Sequence, residues 1–106
     1  PHKLLKKFDS NPPLISLSNP DGNLYEVRLQ VEDPNGALHT ANNFTRVGGS
    51  SEELSIPEGK SRVYAIYKTA ADFKTVYVDA DLKNCKKYVA TANSNYGSFY
   101  LNITEK

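Results

Sequence analysis

The sequence predicts an all-β fold, an antiparallel sandwich of two sheets with seven or eight strands. Two-residue alternation of apolar and polar side chains recurs along the chain, most regularly over 24–32, and this period is typical of a half-buried strand. The alternating segments are bounded by turn-forming residues at intervals of about 8–12 residues, as in sandwiches. No segment of comparable length has the 3.6-residue period of an amphipathic helix.

The first two predicted strands form a hairpin. Residues 1–13 are a lead-in, expected to pack as a short strand or turn, and a brief strand at 14–17 follows. Turn formers at 19–23 lead into the second strand, 24–32, where Tyr25, Val27, Leu29 and Val31 share one side. The run Asp33-Pro34-Asn35-Gly36 then reverses the chain, because Pro34 presets φ and Gly36 accepts a positive φ.

The middle of the chain is predicted to supply the centre of a sheet. We expect an irregular or bulged strand within 37–47 and a short strand at 54–56. The segment 62–68 has apolar residues on both of its faces, which is typical of a central strand or of one covered on both sides. We therefore interpret 62–68 as the best candidate for the middle of a sheet.

Three further strands are predicted, over 73–81, 86–92 and 96–104, with 93–95 as a connection. The inward-facing residues of several strands should meet in one core. The predicted members of this core are Val27, Leu29, Val63, Val76, Val78, Phe99 and Leu101.

The length and the cysteine count bound the architecture. A chain of 106 residues fits one domain, 1–106, with one hydrophobic core. The predicted layers resemble immunoglobulin and fibronectin type III modules in architecture only, because one Cys and no Trp exclude the Cys–Trp–Cys pattern of antibody domains. A small closed barrel is the alternative.

Charge, hydropathy and sequons bear on partners and location. The net charge is +1, so no basic surplus favours nucleic acid as a partner. No apolar stretch approaches the roughly 20 residues that span a bilayer, so membrane insertion is not expected. The sequons at Asn43 and Asn102 are candidate glycosylation sites and favour an extracellular or cell-surface location. Cys85 is expected to be a buried small residue or, less often, a link to a second chain.

Catalytic chemistry is not predicted. The only histidines are His2 and His39, and nothing in the sequence indicates that either meets Cys85 to form a nucleophilic pair. Asp79 and Asp81 should project from one strand face about 7 Å apart, which is wide for a single cation. We therefore expect no enzymatic activity, no metal and no cofactor.

The aromatic composition points to binding. The chain has seven tyrosines and four phenylalanines, and tyrosine offers a rigid apolar plane with a polar tip. Alternation places Tyr96 and Tyr100 away from the core and near Asn93 and Asn95, and this set can stack on sugar rings or contact a protein. These four residues are the predicted ligand-binding residues. The plainer interpretation is cross-strand stabilisation of an exposed sheet face.

The sequence therefore favours a non-catalytic, exported binding module of the adhesion, recognition or lectin-like kind, with a protein or carbohydrate ligand. The alternative is a secreted inhibitor or toxin-like effector that inserts loops 36–45 or 46–51 into a protein partner. A third hypothesis is a structural subunit that pairs through an edge strand, because residues 97–103 are apolar-rich and β-prone.

Overall fold

The computed structural model describes residues 11–95 and 97–106, and these residues form eight β-strands and no helix. The strands are β1 Leu14–Ser18, β2 Glu26–Glu32, β3 Leu38–Thr40, β4 Leu54–Ser55, β5 Gly59–Lys68, β6 Phe73–Leu82, β7 Lys87–Asn95 and β8 Ser98–Glu105. They lie in two sheets of four strands that do not close on each other. The predicted all-β, two-sheet sandwich is confirmed, and the barrel alternative is wrong.

The two sheets differ in strand direction. The first sheet has the order β4-β1-β7-β8 and the second has the order β3-β2-β5-β6. All described pairs are antiparallel except β1 and β7, where Leu14 aligns with Lys87 and Ser18 with Thr91. A parallel pair needs a long crossover connection, and strands β2 to β6 supply it. The alternation of side chains within a single strand does not reveal whether that strand pairs in parallel. The first sheet is therefore mixed, whereas the prediction was of antiparallel sheets.

The core lies between the sheets and is built by the predicted alternation. Val27, Leu29 and Val63 are fully buried, as predicted. The core also takes residues from β1, the β4–β5 connection, β5, β6 and β7 that alternation alone did not single out. They are Ile15, Leu17, Ile56, Ala65, Tyr67, Leu82, Tyr88, Ala90 and Ala92. Among the other predicted members, Val76, Phe99 and Leu101 are partly buried against this cluster, and Val78 is partly buried.

Several strand boundaries differ from the prediction, and two of the differences have a clear physical reason. β2 begins at Glu26, because Leu24 lies in the connection that follows the turn at 20–23 and is 80% exposed. Residues 93–95 continue β7 instead of leaving the sheet, since Asn93 pairs with Tyr100 and Asn95 with Ser98. Turn-forming composition at 93–95 is overridden by this cross-strand pairing.

The strand β5 lies in the middle of its sheet, as predicted, and of the two alternatives for its apolar faces the central position holds, because only one face is covered. It lies between β2 and β6, and its residues alternate between fully buried and partly exposed. The outward residues include Arg62, Tyr64 and Ile66. The apolar character of the second face therefore belongs to an open sheet surface.

The turn between β6 and β7 contains Cys85. Its side chain is exposed, and its backbone has φ 64, so the expectation of a buried cysteine is wrong. Most of the predicted lead-in, 1–10, lies outside the described residues, whereas Pro13 is fully buried. The described residues include no apolar helix of membrane-spanning length.

Candidate functional site

The predicted ligand-binding residues lie at one end of the first sheet. Asn93 and Tyr100 are direct cross-strand partners, and Asn95 is paired with Ser98 beside them. Tyr100 is 53% exposed, and both asparagines are exposed. The fourth predicted residue, Tyr96, lies outside the described residues. We call the outward surface of these two strands, with Asn93, Asn95 and Tyr100, the β7–β8 face.

The two sequons lie in different surroundings. Asn102 is exposed two residues beyond Tyr100 on the β7–β8 face, opposite Thr91. Asn43 is exposed in the connection between β3 and β4, but Thr45 of the same sequon is buried. The backbone of Thr45 exchanges hydrogen bonds with Val27, with N–O distances of 2.7 and 3.1 Å. Both asparagine side chains are physically accessible, and glycosylation at either site remains a prediction.

A larger aromatic surface covers the outer face of the second sheet. Tyr64 and Tyr77 are cross-strand partners with ring centroids 5.9 Å apart. Phe44 and Phe73 are stacked with their centroids 5.9 Å apart and their planes inclined by 27°. Phe73 is 58% and Tyr77 is 54% exposed. We call this surface the aromatic face; its members are Arg28, Phe44, Arg62, Tyr64, Lys68, Phe73 and Tyr77.

Arg62 anchors one end of the aromatic face. Its guanidinium carbon lies 4.2 Å from the centroid of the Tyr77 ring, and its Nε and Nη2 donate to the Asp79 carboxylate at 2.9 and 3.4 Å. The hydrogen bond from Arg62 lowers the pKa of Asp79, and the pKa of Arg62 is raised in return. The cation is thus held over a tyrosine ring, at the distance of a cation–π contact.

Arg28 and Lys68 flank Phe44 at the other end. Their cationic groups lie 5.8 and 5.9 Å from the Phe44 ring centroid. Arg28 donates from Nε to the carbonyl oxygen of Ala41 at 2.7 Å, which fixes the orientation of its guanidinium. Among the described residues, no carboxylate forms an ion pair with either cation. This end of the aromatic face therefore presents two cations beside the Phe44 ring, with Glu26 as the cross-strand partner of Lys68.

A shallow groove adjoins the Arg62 end. It encloses about 630 Å³, and its lining includes Glu32, Lys60, Arg62, Asp79 and Asp81. Asp81 lies 3.1 Å from the ammonium group of Lys83, so both aspartates considered from the sequence as cation ligands face basic side chains. The described residues contain no group of three or more His, Cys, Asp and Glu side chains placed to hold a metal ion.

Sequence reasoning missed the aromatic face for two reasons. Apolar residues on both faces of 62–68 gave no sign of which face is outward, so Tyr64 was not singled out as an outward residue. Phe44 comes from an irregular segment, and its ring meets Phe73 only because the Val27–Thr45 bridge brings that segment onto the sheet. The two-residue side-chain period could have indicated these residues. It places Tyr77 on the same outward side of β6 as Asp79, and Tyr64 on the same outward side of β5 as Arg62.

The fold and this surface define a two-sheet β-sandwich with an open, aromatic and partly cationic sheet face. Comparisons of the chain with protein-family models, with curated proteins and with solved structures found no match.

Proposed function

We propose that this chain is a non-catalytic, exported binding module of the adhesion, recognition or lectin-like kind, which holds its ligand on the aromatic face. One observation carries the proposal: two pairs of contacting rings lie on one open sheet surface together with Arg28, Arg62 and Lys68. Aromatic and arginine side chains are enriched where binding energy concentrates. A contiguous exposed apolar patch is a typical mark of an interaction site.

The rigidity of the sheet favours binding at low entropic cost. Tyr64 and Tyr77 project from two long paired strands, and Arg62 is held in place by Asp79. Side chains ordered before the ligand arrives lose little further freedom on association. Export is supported by the two exposed sequon asparagines, Asn43 and Asn102.

The neighbouring polar side chains suit a carbohydrate. Gln30 is the cross-strand partner of Tyr64, and Thr75 precedes Tyr77 by two residues on the same side of β6. A sugar ring can stack on an exposed aromatic plane while its hydroxyl groups bond to amide, hydroxyl and guanidinium groups nearby. A protein ligand would use the same rings as anchors.

Phe73→Ala and Tyr100→Ala test which face binds. The chain is screened on a glycan array and on intact cells, and the affinity for any bound glycan or cell type is then measured for both variants. Phe73 and Tyr100 are matched, since both are aromatic and more than half exposed. A loss of affinity of tenfold or more in Phe73→Ala alone supports the proposal. The same loss in Tyr100→Ala alone would instead assign binding to the β7–β8 face predicted from the sequence.

The alternative, a secreted inhibitor or toxin-like effector, is favoured by one observation on the loop between β3 and β4. The amide of Gly48 in this loop donates to the carbonyl oxygen of Asn19 at 2.6 Å, and the amide of Asn19 donates to the carbonyl oxygen of Gly49 at 3.0 Å. The neighbouring Val47 side chain is 41% exposed. A loop ordered in advance is suited to insertion into a partner protein. Val47→Asp should then abolish binding to that partner, whereas Phe73→Ala should leave it unchanged.

A further inference from the structure

The four edges of the two sheets formed by the described residues are not equally protected against pairing with another strand. β3 and β4 are edges of three and two residues, and short edge strands offer little to pair with. β6 is long but carries Lys74, Asp79 and Asp81, and edge charges oppose strand addition. β8 is eight residues long and has no charged residue and no proline from Ser98 to Thr104.

The backbone groups that β8 presents outward follow from its pairing with β7. The amide of Lys106 donates to the carbonyl oxygen of Lys87 at 2.8 Å, so even-numbered residues of β8 direct their backbone groups toward β7. The N–H and C=O groups of the odd-numbered residues Phe99, Leu101 and Ile103 therefore point away from β7. Among the described strands, none lies on that side of β8.

We infer that two copies of this chain pair antiparallel through β8, so that their first sheets join into one sheet of eight strands. The pairing is independent of the proposed ligand and of the aromatic face, which lies on the second sheet. Such a contact is isologous and closes with two-fold symmetry, the commonest arrangement of soluble oligomers.

The strand β8 is complementary to a second copy of itself. With the two-fold axis at Leu101, near the middle of β8, Leu101 lies opposite Leu101 of the second copy, and Phe99 lies opposite Ile103 of the second copy. All three side chains are partly buried against the core, so pairing would cover apolar surface that remains exposed. On the other face Tyr100 lies opposite Asn102 of the second copy. Because residues 98–104 carry no charge, no like charges oppose each other between the two copies, which favours a second copy of this chain as the partner of β8.

Paired charge variants test both the dimer and its register. Tyr100→Glu with Asn102→Glu places glutamates opposite glutamates across the two-fold axis, and Tyr100→Lys with Asn102→Lys does the same with lysines. Both positions are exposed, so the fold of each subunit should tolerate the changes. The control is Asn93→Glu with Asn95→Glu, the same change of charge on the same face but one strand away from the edge.

The readout is the mass of the full chain by analytical ultracentrifugation over a range of concentrations. We expect the unchanged chain and the control to reach twice 11.8 kDa, each charged variant to stay monomeric, and an equal mixture of the two charged variants to dimerise. An unchanged chain that stays monomeric at every concentration would overturn the proposal. So would a dimer that both charged variants retain, or a mixture that stays monomeric.

Methylation of one amide gives a second measurement that alters no side chain. A synthetic 85–106 segment joined at Cys85 can carry an N-methyl group on Leu101, which removes an outward N–H group and leaves the bonds to β7 in place. We expect this protein to fold and to remain monomeric. A dimer of unchanged strength would contradict pairing through β8.

Discussion

The hydroxyl group of Tyr67 donates to the backbone carbonyl oxygen of Tyr100 at a distance of 2.7 Å. The carbonyl oxygen of Asn93 lies 2.9 Å from the same hydroxyl, and the Tyr67 ring lies 4.6 Å from Phe99, centroid to centroid. Tyr67 belongs to the second sheet, whereas its three partners belong to the first. One fully buried side chain thus joins the sheets directly beneath the β7–β8 face.

Tyr67→Phe should lower the free energy of unfolding by about 0.5–1.5 kcal/mol, the usual net contribution of a hydrogen bond. The ring stays in the core, and only the hydroxyl is lost. Chemical denaturation of both proteins measures the difference. Tyr77→Phe is the control, because its side chain is 54% exposed, and it should change stability by much less. Equal losses in the two variants would show that the Tyr67 hydrogen bond contributes nothing.

Alkaline titration tests the same group independently. Burial raises the pKa of Tyr67 to about 12 from its ordinary 10.0. A raised pKa means that folding favours the neutral phenol, so this stability is fully present below pH 10 and is lost as the pH rises toward 12. The melting temperature of the unchanged chain should therefore fall more steeply over this range than that of Tyr67→Phe. Parallel curves would contradict the assignment.

Leu29→Ala should lower the free energy of unfolding by about 2–5 kcal/mol, because it leaves a cavity in the core. This is a large part of the 5–15 kcal/mol typical of a domain. Leu29 is fully buried, whereas Leu24 is 80% exposed, so Leu24→Ala is a matched control that deletes the same atoms. Urea denaturation of the two variants gives the comparison. A Leu29→Ala loss no larger than that of Leu24→Ala would mean that Leu29 does not pack as described.

Acid should weaken the turn between β2 and β3. The Asp33 carboxylate accepts from His39 Nε2 at 2.9 Å and from the amides of Asn35 and Ala37. These three hydrogen bonds, of which that from His39 has the largest effect, lower the pKa of Asp33 below its ordinary value of 3.8. Because the pKa of Asp33 is lower in the folded state than in the unfolded state, its ionised carboxylate stabilises the fold at pH values above the unfolded-state pKa. This stability is lost as the pH falls through the folded-state pKa.

The melting temperature of the unchanged chain should thus drop on acidification to below pH 3.8 more steeply than that of Asp33→Asn. His39→Gln should show an intermediate slope, because the two amide hydrogen bonds remain. An Asp33→Asn profile with the slope of the unchanged chain would show that other carboxylates cause the acid transition.

Tyr100→Ala should leave the melting temperature nearly unchanged, since substitutions of exposed side chains usually change stability by about 0.5 kcal/mol or less. Its side chain is 53% exposed, although its backbone carbonyl is engaged by Tyr67. Calorimetry of the variant checks this. A large loss of stability would assign Tyr100 a structural role and would remove the basis for a ligand site on the β7–β8 face.

The inward and outward sides of most strands were predictable because the side-chain period of a strand is a local property. Val27, Leu29 and Val63 are buried where alternation placed them, and Tyr100 and Asn102 are exposed on the opposite side of β8 from Leu101. Neither prediction required knowledge of strand order. The sequence by itself therefore determined the fold class and the face on which these residues lie.

Tertiary structure alone decided which outward residues meet. Phe44 contacts Phe73 from 29 positions away, and Tyr67 reaches Tyr100 from 33 positions away. The parallel pairing of β1 with β7 likewise joins distant segments. Strand order, register and loop path set such contacts, and they arise when the whole chain buries its apolar surface at once, which no short window of sequence encodes.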